Sequence, residues 1–118
     1  MSELLDKLSA YGGIDIEAGK RRMMGNEMLY IRCLKMFHAQ AVKSQLPELL
    51  ASGNHEEAHK DAHALKGTTG NLSLDSLFAK YSVIMDKLRA NDNDGLDALI
   101  DAARKEQQEI CDIIQPYL

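Results

Sequence analysis

Apolar residues recur along this chain at helical intervals of three and four, while alternation of apolar and polar residues is scarce, and only two prolines, Pro47 and Pro116, interrupt it. That periodicity restricts the fold to the all-α class. Leu4, Leu5 and Leu8 mark a short amphipathic segment that ends at Gly12-Gly13. Asp15 is placed to cap a brief helix through Met24, which Gly25 closes. Asn26 caps the next helix, from Glu27 to about Ser52. Its apolar residues (Met28, Leu29, Ile31, Cys33, Leu34, Met36, Phe37, Ala41, Val42) run nearly all round, which suits an element packed on more than one side and kinked at Pro47. Gly53-Asn54 stops it, and Asn54 with Glu57 has capping-box spacing. A further helix runs from His55 to about Gly70. Another opens near Ser73 and carries Leu74, Leu77, Phe78, Tyr81, Ile84 and Leu88. After the turn Asn91-Asp92-Asn93-Asp94, the last helix buries Leu96, Leu99, Ile100, Ala103, Ile110 and Ile114 and stops before Pro116. Four long helices with short connections predict an antiparallel four-helix bundle with short extra N-terminal helices.

A length of 118 residues fits one domain. It divides into N-terminal helical segments over 1–25 and a bundle over 26–115. With 45% hydrophobic and 27% charged residues the chain has enough apolar surface for a core, which excludes intrinsic disorder. A net charge of −4 argues against nucleic acid or an anionic membrane as partner, because both require a basic patch. Lys20-Arg21-Arg22 and Lys35 read as a solvated helix face. No apolar run approaches the roughly 20 residues of a membrane helix, and Met1-Ser2-Glu3-Leu4 lacks the pattern of a secretory signal. Cys33 and Cys111 are far apart and have no metal-binding spacing, so they read as free thiols of a cytoplasmic protein.

Three of the four histidines fall on the helix that starts at His55. At about 100° per residue, Ala58, Ala62, Leu65, Thr69 and Leu72 form one stripe, assigned to the core. His59, His63, Lys66, Gly67 and Gly70 form another, with His63 facing solvent. An imidazole left in water titrates near pH ~6.5, and a neighbouring ammonium disfavours its protonated form, so a neutral nucleophilic ring is available to accept a phosphoryl group. Lys66 is a flexible cation able to follow phosphoryl oxygens. Gly67 removes a Cβ beside the ring, and Gly70 extends that clearance. Glycine inside a helix costs roughly 1 kcal/mol relative to alanine. The two glycines either end the helix or open its surface to another protein, and spacing leaves both readings open.

The string His63-Ala64-Leu65-Lys66-Gly67-Thr68-Thr69-Gly70-Asn71-Leu72 resembles the motif of histidine-containing phosphotransfer domains: histidine, any residue, leucine, lysine, glycine, small residues, then glycine or alanine. The resemblance extends to Ala62, to Ile14-Asp15, to Gly25-Asn26-Glu27 with Leu29-Tyr30, to Phe37 and to Leu77. It implies a four-helix bundle that takes a phosphoryl group from a receiver-domain aspartate onto His63 and passes it to another receiver. Lys66 would then stabilise the phosphoryl group and Gly67 would admit the receiver, with His59 and Gly70 in the docking surface. Receiver domains of response regulators and a hybrid sensor kinase are the implied partners of a monomeric carrier. This chain would hold no cofactor, since Mg²⁺ and the acidic pocket belong to the receiver. The sequence departs from the family at Met85, where members often carry Glu or Gln to orient the ring, and at Tyr81, commonly a small residue.

His55-Glu56-Glu57-Ala58-His59 is also a literal H-E-x-x-H, the pattern of two zinc ligands with a general-base glutamate. A catalytic zinc needs a third ligand, yet His63 lies about 6 Å of helix rise past His59 and the extended motif is missing. No metal centre is therefore expected, beyond incidental binding by the His55/His59 or His59/His63 pairs. Half of a di-iron motif, Glu56-x-x-His59, has no second copy. The alternative function class is a helical adaptor in which His63 is silent.

Overall fold

A computed structural model describes residues 2–118, and no described residue lies in a strand. The helices are α1 (Glu3–Tyr11), α2 (Ile16–Arg22), α3 (Glu27–Lys43), α4 (Leu46–Ala51), α5 (His55–Asn71), α6 (Asp75–Arg89) and α7 (Leu96–Ile114), followed by a 3₁₀ turn at Gln115–Tyr117. Three starts form through the side chains expected to cap them. Asp15 accepts from the Ala18 amide at 3.0 Å, Asn26 from Leu29 at 3.0 Å and Asn54 from Glu57 at 3.4 Å. The box at Asn54 is only half formed. Its own amide donates to Leu49 O, and the Glu57 carboxylate pairs with Lys60.

α5 packs on α6 and α6 on α7, while α3 and α4 each touch both α5 and α7. α1 lies on α7 and α2 on α3. The core between them is built from Tyr30, Leu34 and Phe37 of α3, Ala58, Ala62 and Leu65 of α5, Leu77, Tyr81, Ile84 and Met85 of α6, and Ile100, Ala103, Ile110 and Ile114 of α7. Tyr81 is buried to the hydroxyl, which donates to Gln107 Oε1 at 2.5 Å across the α6–α7 interface. Its polar end is thus satisfied inside the core.

Two expectations about the long helix after Asn26 are corrected. It is not one kinked element to Ser52 but two, α3 and α4, separated at Ser44 (φ −65°, ψ 132°). Pro47 has no amide to offer the carbonyl four residues back, and its ring would collide with it, so the helix stops and restarts with proline in its first turn. Asp61 of α5 seals the break, accepting from Ser44 Oγ at 3.1 Å and from the Gln45 amide at 2.9 Å. Nor is α3 packed all round. Its neighbours cover the face of Tyr30, Leu34, Phe37 and Ala41, and Met28, Met36 and Val42 are left exposed.

The α5–α6 turn is anchored from the N-terminal segment. Tyr30 Oη donates to Leu72 O at 2.8 Å, the Asp15 amide donates to Ser73 O at 2.9 Å, and Arg22 bonds the Ser73 hydroxyl. α2 must come close for this. A Cβ at Gly19 would stand 2.4 Å from Tyr30 Cε1 and 2.9 Å from Leu72 O. Gly19→Ala is therefore expected to destabilise the fold by about 1–3 kcal/mol through overpacking, despite alanine's better helix propensity. Urea titration measures this, and an unchanged midpoint would refute the close approach.

The two thiols are free, Cys33 half-buried and Cys111 buried. Burial pushes the Cys111 thiol up to about 11. Alkylation at about pH 8 should label Cys33 in the native chain and reach Cys111 only after denaturation, as peptide mass mapping would show.

Candidate functional site

α5 is positioned by a narrow buried stripe. Ala58, Ala62, Leu65 and Thr69 are each fully buried, and Leu72 follows at the C-terminal cap. The Thr69 hydroxyl is satisfied by its own helix, donating to Leu65 O at 2.8 Å. With that stripe turned inward, His63 faces solvent, as its helical phase predicts. His59 is half-buried one turn earlier. The two rings lie parallel, with centroids 6.4 Å apart and planes 4° from each other.

Lys66 lies three residues after His63 and is half-buried, with Nζ over the face of the Phe78 ring at 6.0 Å from its centroid. At that distance, the outer limit of a cation–π contact, the ring quadrupole holds the cation only weakly. The ammonium rests beside α6 on a long flexible stem. Phe78 was legible in the sequence as an apolar residue of α6 but not as part of this site. The signal was the placement of the two residues on either side of one hairpin, Gly70 penultimate in α5 and Phe78 fourth in α6.

Helix α5 continues through Gly67 and Gly70 to Asn71, so neither glycine ends it. Their surroundings differ. A Cβ at Gly70 would meet Phe78 Cε1 at 2.9 Å and Cδ1 at 3.0 Å, so that glycine is accounted for by packing within the chain. At Gly67 a Cβ would meet nothing within 4 Å. Nothing inside the fold explains the missing side chain at an exposed position one turn from His63.

Tyr81 and Met85 both belong to the core, fully buried. Neither offers a polar group to the exposed face, since the Tyr81 hydroxyl is engaged by Gln107 and Met85 has only a thioether. The H-E-x-x-H residues do not form a cleft. His55 is the exposed first residue of α5, and Glu56 and Glu57 reach Lys60 at 3.8 and 3.4 Å. Among the described residues no group of three or more His, Cys, Asp or Glu is placed to hold a metal ion.

Comparison with protein-family models, with curated proteins and with solved structures returns no match.

The two glycines make a paired test. Gly67→Ala should stabilise the chain by up to about 1 kcal/mol, since alanine gains helix propensity in open space. Gly70→Ala should fall about 1–2 kcal/mol below it because of the Phe78 contact. Parallel urea titrations compare them, and equal midpoints would show that Phe78 gives way freely.

Proposed function

We propose that this chain is a histidine phosphotransfer domain, a cytoplasmic, monomeric intermediate of a multistep phosphorelay, in which α3, α5, α6 and α7 act as an antiparallel four-helix bundle displaying His63. The observation that carries the proposal is Gly67, an interior helical glycine with open space where its Cβ would be, one turn from an exposed imidazole. A nucleophile on a convex helix face reacts only with a group brought to it. Gly67 lets another protein's surface come within bonding approach of the ring.

The chemistry follows from the groups present. A neutral His63 nitrogen uses its lone pair to form the N–P bond as the P–O bond of the receiver's aspartyl phosphate breaks and the carboxylate departs. Lys66 swings from the Phe78 face to the phosphoryl oxygens, exchanging a weak cation–π contact for a charge-assisted one. Mg²⁺ belongs to the receiver's acidic pocket. This chain holds no catalytic apparatus of its own, so it carries the group between two receivers, one of them attached to a hybrid sensor kinase. His59 and Gly70 border the docking surface.

A second reading, a helical adaptor with a silent His63, draws on the exposed Met28, Met36 and Val42 of α3, an apolar surface suited to a protein partner. One experiment separates the two. The chain is incubated with phosphorylated receiver domains and Mg²⁺, and its intact mass is read. The relay reading expects a gain of one phosphoryl group that is lost in acid and absent in His63→Gln. Lys66→Ala should slow transfer roughly 100- to 1000-fold, the scale of losing one transition-state partner, and Gly67→Gln should slow it by filling the space through which the receiver approaches. A gain that persists in His63→Gln, or that survives acid, overturns the assignment.

A further inference from the structure

His63 has a neighbour whose chemistry phosphoryl transfer leaves unused. His59 precedes it by one turn, and the two imidazoles face each other in parallel at 6.4 Å. Imidazole nitrogen is a preferred donor for zinc and its neighbours in the first transition row, at about 2.0–2.1 Å. Side chains at i and i+4 have Cβ atoms about 5–6 Å apart, so rotation about the side-chain bonds alone brings one nitrogen of each ring onto a common ion.

Nothing on α5 completes a closed site. Glu56 and Glu57 are paired with Lys60, and Asp61 accepts from Ser44 and Gln45. With no third ligand placed among the described residues, the remaining coordination positions face water and the ion exchanges freely. We propose that His59 and His63 form a two-imidazole site for a borderline divalent transition ion, and that its occupation blocks the phosphorylation of His63.

The lone pair accounts for the block. A neutral imidazole has one nitrogen with a free lone pair and one carrying a proton. Coordination occupies that lone pair and leaves only the N–H nitrogen, which cannot attack phosphorus while it holds its proton. Neither step transfers an electron. The regulatory meaning of the site rests on the reading of His63 as phosphoacceptor, whereas the coordination itself does not.

The test uses the untagged chain and zinc chloride as probe. Calorimetric titration should show one ion per chain. Loss of even an outer-shell partner weakens metal binding roughly 10- to 100-fold, so His59→Ala and His63→Gln should each weaken zinc at least that much, while His55→Ala leaves it unchanged. Phosphoramidate, which phosphorylates histidine directly by release of ammonia, supplies the second arm without a receiver. Zinc-saturated wild type should gain its phosphoryl mass roughly tenfold more slowly than the zinc-free chain, chelator should restore the rate, and His59→Ala should label equally with and without zinc. Three results would overturn the proposal: zinc affinity no higher in wild type than in His59→Ala, affinity lost in His55→Ala but kept in His63→Gln, or unchanged labelling of zinc-saturated wild type. If these arms succeed while no receiver phosphorylates His63, the phosphorelay falls and the metal site stands. Receiver transfer with no zinc effect in either arm removes the site alone.

Discussion

The close seating of α5 against its neighbours governs everything displayed on its outer face. Two alanines, Ala58 and Ala62, with Leu65 and Thr69, make a buried stripe whose small members let the helix approach the core closely. Because a helix turns about 100° per residue, burying that stripe sets the azimuth of every other α5 side chain. His63 is consequently directed to water, and Lys66 and Gly70 are directed to α6, where Phe78 meets both. A larger residue at Ala58 or Ala62 would push α5 outward and turn the histidine face with it. The core and the candidate site are two consequences of one packing geometry.

What was legible in the sequence was local. The caps at Asp15, Asn26 and Asn54 are decided within three residues of chain, and so is the α5 stripe, because a 3.6-residue period needs no knowledge of neighbours. What was not legible depends on contacts distant in sequence. The break at Ser44 follows partly from Pro47, but its sealing comes from Asp61, a residue of another helix. Gly19 has no local reason to be glycine. Its reason is Tyr30 and the carbonyl of Leu72, brought against it by the fold. The exposed apolar side of α3 has the same cause, since a sequence shows that Met28 and Met36 are apolar but not that they stay uncovered.

The same distinction separates the two glycines of α5. From sequence both could be helix terminators or surface clearings, and their costs are alike. Only the tertiary neighbour tells them apart, with Phe78 filling the space at Gly70 and nothing filling it at Gly67. A fold optimised for stability alone would hold alanine at Gly67. Glycine there gives up helix propensity and leaves an open surface one turn from His63.

Charge placement along α5 follows the same division. Its acidic side chains, Glu56, Glu57 and Asp61, all precede His63, and none occurs from Ala64 to Asn71. The first two favour the positive end of the helix dipole and pair with Lys60, while Asp61 is turned toward the start of α4. Exposed pairs of this kind add little stability. Their effect is electrostatic: carboxylates left free beside His63 would repel a phosphoryl dianion, and here Glu56 and Glu57 share Lys60 while Asp61 accepts from Ser44 and Gln45. The cation that remains nearby on α5, Lys66, rests on the face of Phe78 and is paired with no carboxylate among the described residues.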